Sequence, residues 1–173
     1  MTDKRVVKAV EEANAEDHSI TLSTGVVLRG KQAPPLIMVK VMAAFPRPKV
    51  PTWFNDKMGR EMENPDDPDY IERIGSWKIE YSNATLNALI LLGTELVSAP
   101  KGFPGPNSDE WLDEYKLLGV ETMPQNKNWR YLNWVIFKAA ADANDLKLIK
   151  EVVGRLSGIR EADVAAAQDF PGR

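Results

Sequence analysis

The sequence predicts an α+β fold, mainly α: a small helical domain with an N-terminal β-hairpin and a proline-rich extended arm. Three observations carry this reading. Apolar residues recur at spacings of three and four from Ile71 to Leu96 and again from Leu146 to Leu156, the period of helices with a buried face. Around Ser23-Thr24-Gly25 the period falls to two, with Ile20, Leu22, Val26 and Leu28 as the apolar members. Between these stretches Pro46, Pro48 and Pro51 forbid both a helix and a central strand.

Residues 1–17 read as a polar N-terminal arm in which only Val6, Val7 and Val10 have weak helical spacing, and residues 18–173 read as a single domain. Within the hairpin, residues 18–30, a three-residue loop sets Leu22 opposite Val26 and Ile20 opposite Leu28. A two-residue loop would set Ile20 against Arg29 and spoil the apolar face, so the longer loop is expected, with Gly25 left-handed. A lone hairpin is marginal in water and must pack on something else. Pro34 and Pro35 suit a first helical turn and predict a helix over 35–45, with Leu36, Val39, Met42 and Ala43 facing inward.

Residues 46–64 then form an extended arm, exposed and rich in charge from Asn55 onward. Asp67 followed by Pro68 starts the longest helix, with a carboxylate as cap and proline in the first turn. Its inner face comprises Ile71, Ile74, Trp77, Tyr81, Ala84, Ala88, Leu92 and Leu96, with Gly93 interrupting or kinking its end. After a loop over Pro100 to Pro106, Asn107 and Glu110 resemble a capping box for a short helix through Leu118, stopped by Gly119. A fourth helix is expected over 128–141, and a fifth over 145–156 closed by Gly158. A last short helix over 161–168 completes the helical part, residues 68–170.

The 173 residues are 43% hydrophobic and 27% charged, the balance of a folded globular chain. Twenty-two Lys and Arg against 25 Asp and Glu give a net charge of −3, which offers no basic field for nucleic acid. The chain has no cysteine, and His18 is its single histidine, which removes thiol nucleophiles, disulfides and two-histidine chemistry. No carboxylate couple, phosphate loop or nucleophile elbow stands out, so neither an enzyme, a catalytic residue nor a cofactor is expected. Glu63, Asp66, Asp67 and Asp69 lack the alternating ligands of a calcium loop, and capping accounts for Asp67 and Asp69 without a metal. The first residues turn acidic before any apolar stretch, and the run Ala88 to Leu92 is far too short for a membrane span. The expected location is the cytoplasm, with no membrane partner.

Two segments are candidates for binding another protein. An extended arm holding Pro46, Pro48 and Pro51 and tipped by Trp53 and Phe54 offers large contact area at small ordering cost; its alternative is a connector lying on its own helices. The stretch from Lys127 to Lys138 interleaves bases with aromatics. Its plain reading is a central helix packed on both sides, and its sharper one places Trp134 or Phe137 in a protein interface.

Taken in order, Thr24-Gly-Val-Val-Leu-Arg29, Pro34-Pro35, Phe45-Pro-Arg-Pro48, Asn64-Pro-Asp-Asp-Pro-Asp-Tyr70, Leu92-Gly-Thr-Glu95, Asp109-Glu-Trp-Leu112 and Leu156-Ser-Gly158 resemble the tail assembly chaperones of tailed bacteriophages and prophages. These are capping and turn elements spread over residues 20–170, and none is catalytic. The weak cap at Arg160-Glu161 departs from the pattern. The resemblance implies a non-enzymatic protein of the bacterial host cytoplasm that binds the tape measure protein and helps recruit tail tube protein. It implies no functional residue by position and leaves self-association open. The alternative is a structural virion component, a connector or tail-terminus ring protein.

Overall fold

The computed structural model describes residues 18–158, so the expectations for residues 1–17 and for the helix over 161–168 lie outside the described residues. Strands β1 (Ser19–Thr21) and β2 (Val27–Gly30) form the predicted hairpin with Ile20 opposite Leu28. Leu22 N–H donates to Val26 C=O at 2.8 Å, and Gly25 has φ +82°. That value lies in the left-handed region, where a Cβ is disfavoured. Ile20, Leu22, Val26 and Leu28 are all essentially inaccessible, as the three-residue loop requires.

The hairpin gains its support from a third strand that the helical spacing conceals. Helix α1 spans Pro35–Ala43, and after strands β3 (Thr52–Asn55) and β4 (Arg60–Glu63) the 26-residue helix α2 runs Pro68–Gly93. Its start is as expected: the Asp67 carboxylate accepts from Tyr70 N–H at 2.9 Å. Its end is not. Without a loop, Gly93 leads into strand β5 (Thr94–Ser98), which pairs antiparallel with β2 in a sheet of order β1-β2-β5. Leu96 therefore lies opposite Leu28 in the sheet rather than on the helix. Ile71, also expected inward, is 53% exposed.

Beyond β5 come α3 (Glu110–Leu117), α4 (Lys127–Trp134) and α5 (Ala143–Leu156). Helix α3 begins without a side-chain cap of its own, although Ser108 Oγ accepts from Glu110 N–H at 3.2 Å, so the capping box expected from Asn107 does not form. Helix α4 is capped by Asn126, whose side chain accepts from Asn128 and Trp129 N–H. It widens into a π-helical turn over Val135–Ala139, closed by a hydrogen bond from Ala140 N–H to Val135 C=O at 2.9 Å.

The core lies between the inner face of the sheet and these helices, and joins Leu28, Ile90, Trp111, Val135, Ile149 and Val153 with their neighbours. Helix α5 buries Ile149 and Val153 on the predicted face, with Leu146, Val152 and Leu156 half-buried beside them. It crosses α2 at Gly93, where a Cβ would overlap Val153 Cγ1. At the top of α2, Thr94 Oγ1 donates to Ile90 C=O at 2.6 Å and so accepts from the Tyr131 hydroxyl at 2.9 Å. Burial raises the Tyr131 pKa above its ordinary value, and the nearby Glu95 carboxylate adds to that rise.

Helix α1 departs from expectation in its face. Met38 is its buried residue, whereas Leu36, Val39 and Ala43 point to solvent. With Lys40 the sole charged residue among nine, the helix is apolar nearly all round, and spacing alone does not decide which side turns inward.

A candidate partner-binding surface

The arm leaves α1 at Phe45, whose carbonyl accepts from Trp77 Nε1 at 2.8 Å. Trp77 stacks in turn on Tyr81 with ring centroids 5.2 Å apart, fixing the arm's origin on α2. From there Pro46 is exposed and Pro48 and Pro51 are half-buried, with no regular structure before Thr52. The continuation to residue 64 corrects the extended-arm expectation: the chain reverses over residues 56–59 and returns as β4. Trp53 pairs with Met62 and Phe54 with Glu61, and the Pro51 carbonyl accepts from Asn64 N–H at 2.8 Å to close the base.

The reversal is local chemistry. The Asn55 side-chain carbonyl accepts from Lys57 N–H at 3.0 Å and Met58 N–H at 3.2 Å, and Gly59 supplies φ +61° before returning its N–H to Asn55 C=O at 2.8 Å. Asparagine suits such a position because its side chain can mimic a backbone turn.

Trp53 is 49% and Phe54 58% exposed, and Met58 at the tip is exposed as well. Consecutive strand residues face opposite ways. The Trp53 face therefore carries Met62, Asn55 and Arg60, and the opposite face carries Phe54, Thr52, Glu61 and Glu63. Asn55 and Met62 are half-buried, whereas all four members of the Phe54 face are exposed. Among the described residues no other helix or strand makes an extended contact with β3 or β4. A two-stranded ribbon of this size is marginal by itself, so large aromatics left on it in water make an unusual arrangement.

The other two predicted contact residues belong to the core. Trp134 is fully buried, and its Nε1 donates to Pro104 C=O at 2.7 Å. Phe137 is half-buried, its ring edge-on to Tyr115 at 4.8 Å. Trp134 is held by the proline loop before α3 and is no free surface, whereas Phe137 packs one edge on α3 and keeps part of its ring exposed. Among the apolar residues whose exposure sequence reasoning missed are Met58 on the hairpin, Leu36 and Val39 on α1, and Leu117 and Leu118 at the end of α3. Leu117 and Leu118 immediately precede the Gly119 stop.

An open cavity of about 470 Å³ between the β1–β2 loop and α5 is the alternative concave site. Asp145 in its wall is already committed: it accepts from Ser23 N–H at 2.8 Å, Ser23 Oγ at 2.6 Å and Ala141 N–H at 2.9 Å. Burial alone would raise its pKa, but these hydrogen bonds outweigh it and hold the carboxyl below the ordinary carboxylate range. Asp145 is thus a latch between hairpin and helix. Because its folded pKa lies below its unfolded one, its stabilisation is complete at neutral pH and is lost as pH falls from about 4 through the folded value. Asp145→Asn is expected to cost about 1–3 kcal/mol at pH 7. It should also flatten the fall of the urea midpoint between pH 5 and the acid limit, in unfolding curves followed by tryptophan fluorescence.

Among the described residues no group of three His, Asp or Glu side chains is placed to hold a metal ion, and no helix is long and apolar enough to cross a membrane. No family model, curated protein or solved structure matches the chain.

Proposed function

We propose that this protein is a non-enzymatic tail assembly chaperone of a tailed bacteriophage or prophage, acting in the host cytoplasm by binding the tape measure protein and assisting assembly of the tail tube. The observation that carries this reading is the β3–β4 ribbon, on which Trp53, Phe54 and Met58 are exposed and along which no other described helix or strand packs extensively. Aromatics and methionine are the side chains enriched at protein interfaces. The ordered motifs quoted from the sequence supply the family, and the ribbon supplies a surface suited to a protein client.

The test is co-expression with a candidate tape measure protein from the same genome. Trp53→Ala with Phe54→Ala is expected to reduce co-purification at least tenfold while the melting temperature stays within about 2 °C, because truncations at exposed sites change stability by only a few tenths of a kcal/mol. Full retention of binding by the folded double variant would remove the ribbon from the mechanism. Recovery of the protein as a stoichiometric part of purified particles would favour a structural connector or tail-terminus component instead.

A further inference from the structure

The ribbon has two faces of different chemistry, and the difference defines what fits the open one. On that face Phe54 lies directly across from Glu61, and Thr52 lies directly across from Glu63. One large apolar side chain therefore stands among two carboxylates. Neither Glu61 nor Glu63 has an ion-pair partner among the described residues. Two uncompensated carboxylates flanking an exposed phenyl ring favour a partner with an apolar centre and a cationic margin, since complementary charge at an interface rim steers encounter and rejects like-charged competitors.

The shape of the partner follows from what must be covered. A strand added at either edge of the ribbon would pair with backbone groups and leave the Phe54 ring still projecting from the sheet face. A helix laid across that face would cover it. Four strand residues extend about 13 Å, close to the 10–12 Å diameter of one α-helix with its side chains. Pro51 before β3 and Pro65 after β4 keep the face from growing much beyond that width.

We infer that the Phe54 face of the β3–β4 ribbon docks one amphipathic helix of the partner, with its apolar stripe on Phe54 and Lys or Arg side chains at its margin paired with Glu61 and Glu63. This deepens the chaperone reading and rests on it, by specifying the chemistry of the client segment.

The experiment uses the full chain and two synthetic 18-residue helical peptides, one of Leu and Lys and one of Leu and Glu in the same amphipathic pattern, with binding followed by calorimetry. The Leu/Lys peptide is expected to bind and to lose affinity at least fivefold between 50 and 300 mM salt, as screening of rim charges requires, while the Leu/Glu peptide shows no binding. Phe54→Ser and the pair Glu61→Gln with Glu63→Gln should each weaken the Leu/Lys complex about tenfold. Glu110→Gln with Glu121→Gln, two exposed carboxylates elsewhere, should leave it unchanged. Equal loss from both carboxylate pairs would reduce the effect to attraction by the net negative charge and overturn the proposal. So would tighter binding of an alternating Leu/Lys peptide that forms a strand, or no binding of the helical Leu/Lys peptide. The Glu61/Glu63 variant is also compared in co-purification with the tape measure protein. Full retention there, alongside loss with Trp53→Ala/Phe54→Ala, overturns the basic-helix inference and leaves the chaperone reading standing; retention by both variants overturns the inference and removes the ribbon from the mechanism, and only failure of the unsubstituted chain to bind the tape measure protein overturns the chaperone reading itself.

Discussion

Replacing Arg130 with Met is expected to lower stability by about 2–4 kcal/mol, whereas replacing its acidic partner Asp109 with Ala should cost less than about 1 kcal/mol. The asymmetry comes from where the guanidinium spends its donors. Arg130 is nearly buried, and besides Asp109 Oδ1 it reaches the carbonyls of Pro106 at 3.1 Å, Ser108 at 2.8 Å and Pro124 at 3.4 Å. The loop from Phe103 to Pro106 contains two prolines and so is short of backbone donors of its own. Side chains from α3 and α4 satisfy its carbonyls instead: Trp134 at Pro104, and Trp111 together with Arg130 at Pro106. Met fills the space but removes the donors to the Ser108 and Pro124 carbonyls, one of the two donors to Pro106, and the guanidinium over the Trp111 ring, while the Asp109 side chain is 79% exposed and simply returns to water. Equal urea midpoints for the two variants would contradict this division.

Gly93→Ala should be destabilising by about 1–3 kcal/mol, the range for a methyl forced into a packed site. The new Cβ would overlap Val153 Cγ1, a β-branched group with one favoured rotamer in a helix, and it would also lie 3.3 Å from the Lys31 carbonyl. Gly93 cannot shift alone, because Lys31 N–H donates to its carbonyl at 2.8 Å and Thr94 begins β5 at once. Val153→Ala by itself leaves a cavity, but in the Gly93→Ala background it removes the clash. The double variant is therefore expected to be more stable than the sum of the single effects by 0.5 kcal/mol or more. Strict additivity in thermal or urea unfolding would show that the two helices relax apart instead.

Local chemistry made much of this fold legible. The β1–β2 register follows from which loop length keeps four apolar residues together, and the start of α2 follows from one carboxylate and one proline. Strand β5 was hidden because Leu96 continues the three-four spacing of α2 by coincidence, and its partner Arg29 lies 66 residues away from Glu95 in the chain. Strand β4 was hidden because Arg60-Glu-Met-Glu63 has no β-branched residue and a poor strand propensity; the Asn55 turn and the pairing with β3 override it. The face of α1 was not readable from a helix with apolar residues on every side. Of the candidate surface, Trp53 and Phe54 were visible because prolines preclude burying that segment in a helix. Trp134 misled for the converse reason: an aromatic among bases looks like an interface, and only the proline loop from a distant part of the chain shows why it is needed inside.

Among the described residues no other helix or strand makes an extended contact with the ribbon, so its opening is expected to be separate from the melting of the core. Amide exchange along residues 52–63 should accordingly proceed through local opening at a small fraction of the global unfolding free energy, while Leu28 and Ile90 exchange at the global limit. Selection then acts on the two parts with different strictness. A substitution in the core must satisfy a dozen neighbours at once, but a substitution on the ribbon is judged only by whatever the ribbon touches. A lineage whose partner drifts can follow it by rewriting these twelve positions while the sheet and its helices stay fixed.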